Sequence, residues 1–104
     1  MTPEGRIKNA INKTLKGFPG IYRFMPVPSG YGKSSLDYIL CVRGDFLAIE
    51  AKAPGKQPTP RQWQMIYDIQ GAGGLVLVID SIEAATTKLR DTIVTLGGNS
   101  ASSS

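Results

Sequence analysis

The strongest chemical signal in this chain comes from Asp37, Glu50 and Lys52. Glu50 and Lys52 stand two apart in a stretch, Asp45 to Lys52, that reads as a strand, so their side chains leave the same face. Arg43-Gly44 reads as a two-residue hairpin turn back to a strand over Leu36 to Val42, because Gly44 tolerates a positive φ. Val42 then faces Asp45. Carried outward, that register sets Asp37 opposite Glu50 on one face, with Cβ atoms ~5 Å apart. Two carboxylates so placed repel and raise each other's pKa unless a cation lies between them. A hard, oxygen-binding ion such as Mg²⁺ resolves the conflict. Lys52 beside them can balance charge, orient a water or stabilise a developing phosphorane oxygen. The plainer alternative is the solvated face of an edge hairpin. Against it stand the apolar flanks, Tyr38-Ile39-Leu40 and Leu47-Ala48-Ile49, since charges set among such residues usually have a task.

Composition narrows the chemistry further. The 104 residues suffice for one domain, with 41% apolar and 19% charged residues. There is no histidine, which removes zinc sites of the usual type and histidine bases, and leaves carboxylates, lysine, tyrosine or a bound ion for any catalysis. Cys41 is the only cysteine. No internal disulfide can form, and Cys41 is expected as a small buried hydrophobe in a reducing, cytoplasmic setting. The longest apolar run, Leu75 to Ile79, is far below the ~20 residues a bilayer needs, and Met1 to Leu15 is too polar for a secretory leader. The net charge of +4 suits a polyanionic partner.

The elements that must position the carboxylates follow from periodicity. Thr2 is an N-cap and Pro3 a first helical residue, with Ile7, Ala10, Ile11, Leu15 and Phe18 at helical spacing up to a stop at Gly17 and Pro19. Ile21 to Met25 is a short strand candidate. Pro26 to Ser35 and Ala53 to Pro58 are loops. Thr59 and Pro60 open a helix whose face is Trp63, Ile66, Tyr67 and Gln70, ending near Gly71 to Gly74. Leu75 to Ile79 reads as a buried strand. Asp80 and Glu83 suggest a capping box for a last helix with the stripe Ile82, Ala85, Leu89, Ile93 and Leu96. The order α-β-β-β-α-β-α predicts an α/β fold, a mixed central sheet flanked by helices, with a crossover through the Thr59 helix. Residues 1–96 form the expected domain and 97–104 a flexible tail.

Ser35-Leu36-Asp37 followed by Glu50-Ala51-Lys52 resembles the PD-(D/E)xK nuclease signature. The layout from Glu4 to about Ile79 is similar to the stand-alone, phage-type members of its VRR-NUC subfamily: a first helix with Glu4-Gly5, a Gly/Ser loop before Asp37, Thr59-Pro60-Arg61-Gln62 opening the next helix, and Gly73-Gly74 before an apolar strand. The resemblance implies a restriction-endonuclease-like core. It implies a divalent ion, Mg²⁺ with Mn²⁺ able to substitute, held by Asp37, Glu50 and the main-chain carbonyl of Ala51. It implies that Glu4 reaches in as a further acid and metal ligand, that Lys52 positions the attacking water or the scissile phosphate, and that Gln62 steadies the lysine or the water. Leu36 stands where the pattern has proline, a structural position. Apart from the resemblance, Glu4 suits a helix dipole and Gln62 a capping box.

The expected activity is Mg²⁺-dependent endonucleolytic hydrolysis of DNA by structure, in branched DNA such as Holliday junctions, by a homodimer. Lys33, Ser34, Lys56, Arg61, Arg6 and Lys16 are the expected backbone contacts. The rival readings are a non-catalytic nucleic-acid-binding module and a monomeric flap or nicking nuclease. Ser29-Gly30-Tyr31-Gly32-Lys33-Ser34 hints at a phosphate loop, but Val27 stands where that motif needs glycine and a strand follows in place of a helix.

Overall fold

A computed structural model describes residues 1–26 and 36–102, with the side chains of the last helix as far as Leu96. Helix α1 spans Pro3–Lys16; the Thr2 hydroxyl accepts from the Gly5 N–H at 3.0 Å, and Ile7, Ile11 and Leu15 form its buried stripe. Strands β1 (Tyr22–Phe24), β2 (Tyr38–Val42) and β3 (Asp45–Ala51) precede helix α2 (Pro60–Gly71) and strand β4 (Leu75–Ile79). A π-helical turn, Ala84–Lys88, then runs into helix α3, Leu89–Ser102. The element order is the expected one.

The sheet has the order β1-β2-β3-β4. Its first three strands are antiparallel, and β4 lies parallel to β3 after the α2 crossover. The hairpin turn sets the register. Arg43 and Gly44 take φ of 52° and 92°, the two positive values of a type I′ turn, which glycine adopts without penalty. Val42 therefore pairs with Asp45, and the ladder continues to Tyr38 opposite Ile49.

Strand alternation divides the sheet into two unlike faces. On one, Tyr38, Leu40, Val42, Leu47, Ile49 and Ala51 join Leu77 and Ile79 under α1 and α3, with Ala85, Leu89 and Ile93 coming down from α3 and the turn before it. On the other, Leu36, Ala48 and Ile66 make a smaller core under α2. Helix α2 closes with a Schellman motif, in which Gly74 N–H donates to Ile69 O and Gly73 N–H to Gln70 O, Gly73 holding a φ of 95°.

The structure departs from the sequence pattern at several points. Cys41 is exposed, because it lies on the α2 face where that helix does not reach; its cross-strand neighbours Tyr22 and Phe46 are exposed too. In α2 only Ile66 is fully buried. Trp63 is half-buried, while Tyr67 is exposed and stacks on it with centroids 5.8 Å apart. The last helix is capped by Ser81, whose hydroxyl accepts from the Ala84 N–H at 3.0 Å, and not by an Asp80–Glu83 box, because the helix starts one residue later. Ile82 is half exposed at that entry, so the buried stripe begins at Ala85. Helix α3 continues to Ser102, past the Leu96 at which the apolar pattern ends.

Candidate active site

Asp37 lies in the bend entering β2, one position beyond the Tyr38–Ile49 pair, which brings it beside Glu50 as the register requires. Each carboxylate accepts a main-chain N–H from the neighbouring strand end. The Asp37 N–H donates to Glu50 Oε1 at 3.2 Å, and the Ala51 N–H donates to Asp37 Oδ2 at 2.9 Å. These main-chain donors fix both carboxylates. Leu36, where the nuclease signature has proline, is 2% exposed and packs against Ala48 and Ile66, so an apolar anchor holds the bend from beneath.

Glu50 is 3% exposed and is the only buried charged residue in the described core. Burial pushes its pKa up to about 7, and the negative charge of Asp37 adds to the rise, while the Lys52 ammonium opposes it. Lys52 Nζ is 3.5 Å from Glu50 Oε2, and Lys52 is held at its main chain by an N–H bond to Ile79 O at the end of β4. Gln62 forms the capping box open to it in the sequence, and its side chain also meets Glu50, where the resemblance implied the lysine or the water. Its N–H donates to the Thr59 hydroxyl and its Oε1 accepts from the Thr59 N–H at 2.9 Å, completing a capping box. With the amide oxygen so engaged, Nε2 donates to Glu50 Oε2 at 2.6 Å. The start of α2 thereby aims a donor at the buried carboxylate.

Glu4 does not face Asp37 directly. Lys8, one turn along α1, stands between them, with Nζ 3.4 Å from Glu4 Oε2 and 3.4 Å from Asp37 Oδ1. Burial works against the charge of Lys8, but the Asp37 and Glu4 carboxylates more than offset this and hold its pKa above the ordinary value. Among the described residues no three acidic, cysteine or histidine side chains converge on one point. Lys8 is the site residue that sequence reasoning missed. Its signal was the i,i+4 spacing from Glu4, which reads equally well as an ordinary helix-surface pair.

The expected backbone contacts are less gathered. Lys56 and Arg61 are exposed on the loop and first turn that lead into Gln62. Arg6 is exposed on α1 and lines a shallow groove with Pro54 and Ile82. Lys16 is exposed in the last turn of α1, ~12 Å along the helix from Lys8 and away from the carboxylates. Lys33 and Ser34, with the rest of the glycine-containing segment, lie outside the described residues. A cavity of about 600 Å³ is lined by Leu75, Thr87, Lys88 and Leu96 along α3, and none of the site residues borders it.

The donor chemistry suits a hard divalent cation. Asp37 and Glu50 offer carboxylate oxygens only, with no sulfur or imidazole beside them, which is the set that Mg²⁺ and Mn²⁺ accept while keeping waters of their own. The raised pKa of Glu50 comes first from its burial and then from the Asp37 charge beside it, both of which a bound cation would oppose.

A small mixed sheet with one helix on the site face and two on the other, carrying an Asp, a Glu and a Lys at the ends of adjacent strands, is the α/β architecture that the sequence suggested. A solved structure described as a VRR_NUC domain has this fold, superposing with a TM-score of 0.68 over 91% of this chain and 97% of its own length, at 21% sequence identity. No family model matches the sequence, and no curated protein matches it.

Proposed function

We propose that this chain is a VRR-NUC-type, metal-dependent endonuclease that hydrolyses phosphodiester bonds in DNA by structure, with branched DNA such as a four-way junction as its substrate. The observation that carries the reading is the buried Glu50, held against Asp37, Lys52 and Gln62 on one sheet face of a VRR_NUC fold. Asp37, Glu50 and the main-chain carbonyl of Ala51 would hold Mg²⁺ or Mn²⁺. When bound there, the ion supplies Lewis-acid polarisation of the scissile phosphate and offsets the charge that builds on its oxygens. Gln62 orients Glu50. Lys52 presents an ammonium to the attacking water or to a phosphate oxygen. Lys56, Arg61, Arg6 and Lys16, with Lys33 and Ser34, are the proposed contacts to the DNA backbone.

A homodimer belongs to this reading. One chain offers one carboxylate pair, resolving a junction requires a cut in each of two strands, and a two-fold dimer supplies two sites with the symmetry of the junction. The absence of a recognition helix from the described elements favours selection by shape over base reading. The test is incubation of the purified chain with labelled linear, single-stranded, flap and four-way DNA in Mg²⁺, Mn²⁺ or EDTA, alongside sedimentation with and without junction. Junction cleavage in Mg²⁺ and none in EDTA is expected. Cleavage in EDTA removes the metal assignment, and equal rates on junction and linear duplex by a monomer remove the junction and dimer assignments.

A further inference from the structure

We propose that Lys8 is a resident counterion of the carboxylate site, which holds Asp37 while no divalent cation is bound and competes with that cation for it. The inference rests on the reading that Asp37 and Glu50 bind a metal ion. Asp37 has two carboxylate oxygens: Oδ2 is taken by the Ala51 N–H, and Oδ1 is met by the Lys8 ammonium at 3.4 Å. Glu50 has its own ammonium, that of Lys52. Each carboxylate of the pair thus has one lysine against it, Lys8 being shared between Asp37 and Glu4.

The two lysines are not equivalent. The Lys52 side chain is 14% exposed and that of Lys8 38%, so Lys8 can swing into water at little cost. Its main chain cannot follow: the hydroxyl of the fully buried Tyr38 lies 3.3 Å from the Lys8 carbonyl and 3.0 Å from Asn12 Oδ1, which pins this turn of α1 over Asp37. Glu4, 3.4 Å from the ammonium on its other side, offers Lys8 a second carboxylate to rest on once Asp37 is engaged. A divalent cation at Asp37 repels both ammoniums, and the less buried of the two, that of Lys8, is the one to yield.

Competition of this kind is reciprocal. Whatever Lys8 contributes to the metal-free fold through Asp37 must reappear as weakened metal affinity. The test compares wild type, Lys8→Met and Lys8→Arg by calorimetric titration with Mn²⁺ and by thermal melting in EDTA and in saturating Mn²⁺. Lys8→Met is expected to bind Mn²⁺ about two- to fivefold more tightly, the range an ion pair of this exposure supports. It should melt a few degrees below wild type in EDTA, and the gap should narrow in Mn²⁺. Lys8→Arg should stay near wild type in both. Equal or weaker Mn²⁺ binding by Lys8→Met, or a melting gap that Mn²⁺ leaves unchanged, overturns the inference and leaves the metal site standing. A wild type that binds no Mn²⁺ removes the metal site and this inference together.

Discussion

The two faces of the sheet share strands and differ in nearly everything else. The face under α1 and α3 buries Tyr38, Leu40, Val42, Leu47, Ile49, Leu77 and Ile79 without a single charge. The face under α2 buries Leu36, Ala48 and Ile66, leaves Tyr22, Phe24, Cys41 and Phe46 open to solvent, and carries Asp37, Glu50 and Lys52 at one end. Burial of each large aliphatic side chain contributes about 1.5–3 kcal/mol, so the first face supplies most of the cohesion. Glu50 runs the other way, since an ionised carboxylate that is 3% exposed weakens the metal-free fold. One side of this small domain holds it together, and the other spends part of that stability on holding charge in place.

That division can be broken on either side. The largest expected effect is on turnover. Asp37→Asn and Glu50→Gln should each lower cleavage of junction DNA by about a hundredfold or more, with melting temperature and circular dichroism retained. Loss of fold in parallel with activity would make the pair structural. Lys52→Ala should reduce the rate comparably yet leave junction binding in a gel-shift assay nearly intact, because phosphate contacts are spread over other basic residues. The opposite face gives the next effect. Ile49→Ala, at a position with no exposure, should cost about 2–5 kcal/mol and lower the melting temperature by ~10 °C or more, with residual activity at low temperature.

A pH experiment sharpens the comparison at Glu50. Its folded pKa of about 7 lies above the ordinary carboxylate value of 4.5, so the folded state favours the proton. The stability this group contributes is fully present below pH ~4.5 and is lost as pH rises through ~7. In EDTA, Glu50→Gln should therefore melt above wild type at pH 8 and level with it near pH 4.5. Saturating Mg²⁺ at pH 8 should erase or reverse the difference. A wild type that melts higher than Glu50→Gln at pH 8 in EDTA would mean that Asp37, Lys52 and Gln62 already satisfy the carboxylate. The smallest effect belongs to Cys41: Cys41→Ser should change stability by no more than about 0.5 kcal/mol, and the native thiol should react with a disulfide reagent without denaturant.

Much of this was readable from residue types and spacing. Thr2-Pro3 and Thr59-Pro60 mark both helix starts, and Arg43-Gly44 fixes a register from which the Asp37–Glu50 pairing follows by counting. Local chemistry dictates each of these. What stayed hidden depends on how far one element extends over another. Cys41 and Tyr67 sit in patterns that look internal, and they are exposed because α2 is short against the sheet. The π-helical turn at Ala84–Lys88 is an irregularity that no 3.6-residue period announces. Lys8 reaches Asp37 across 29 positions of sequence, and no spacing rule connects them.

The type I′ turn at Arg43-Gly44 also bears on how such a chain can vary through descent. Side chains alternate along a strand with a period of two, so one residue added between Val42 and Asp45 would shift the pairing by a single position. Glu50 and Lys52 would then be turned toward the face under α1 and α3, and Leu47, Ile49 and Ala51 toward the face under α2. Substitutions along β2 and β3 are graded in their cost, but a change of length here is all or nothing. The hairpin is a place where the number of residues matters more to the site than their identity.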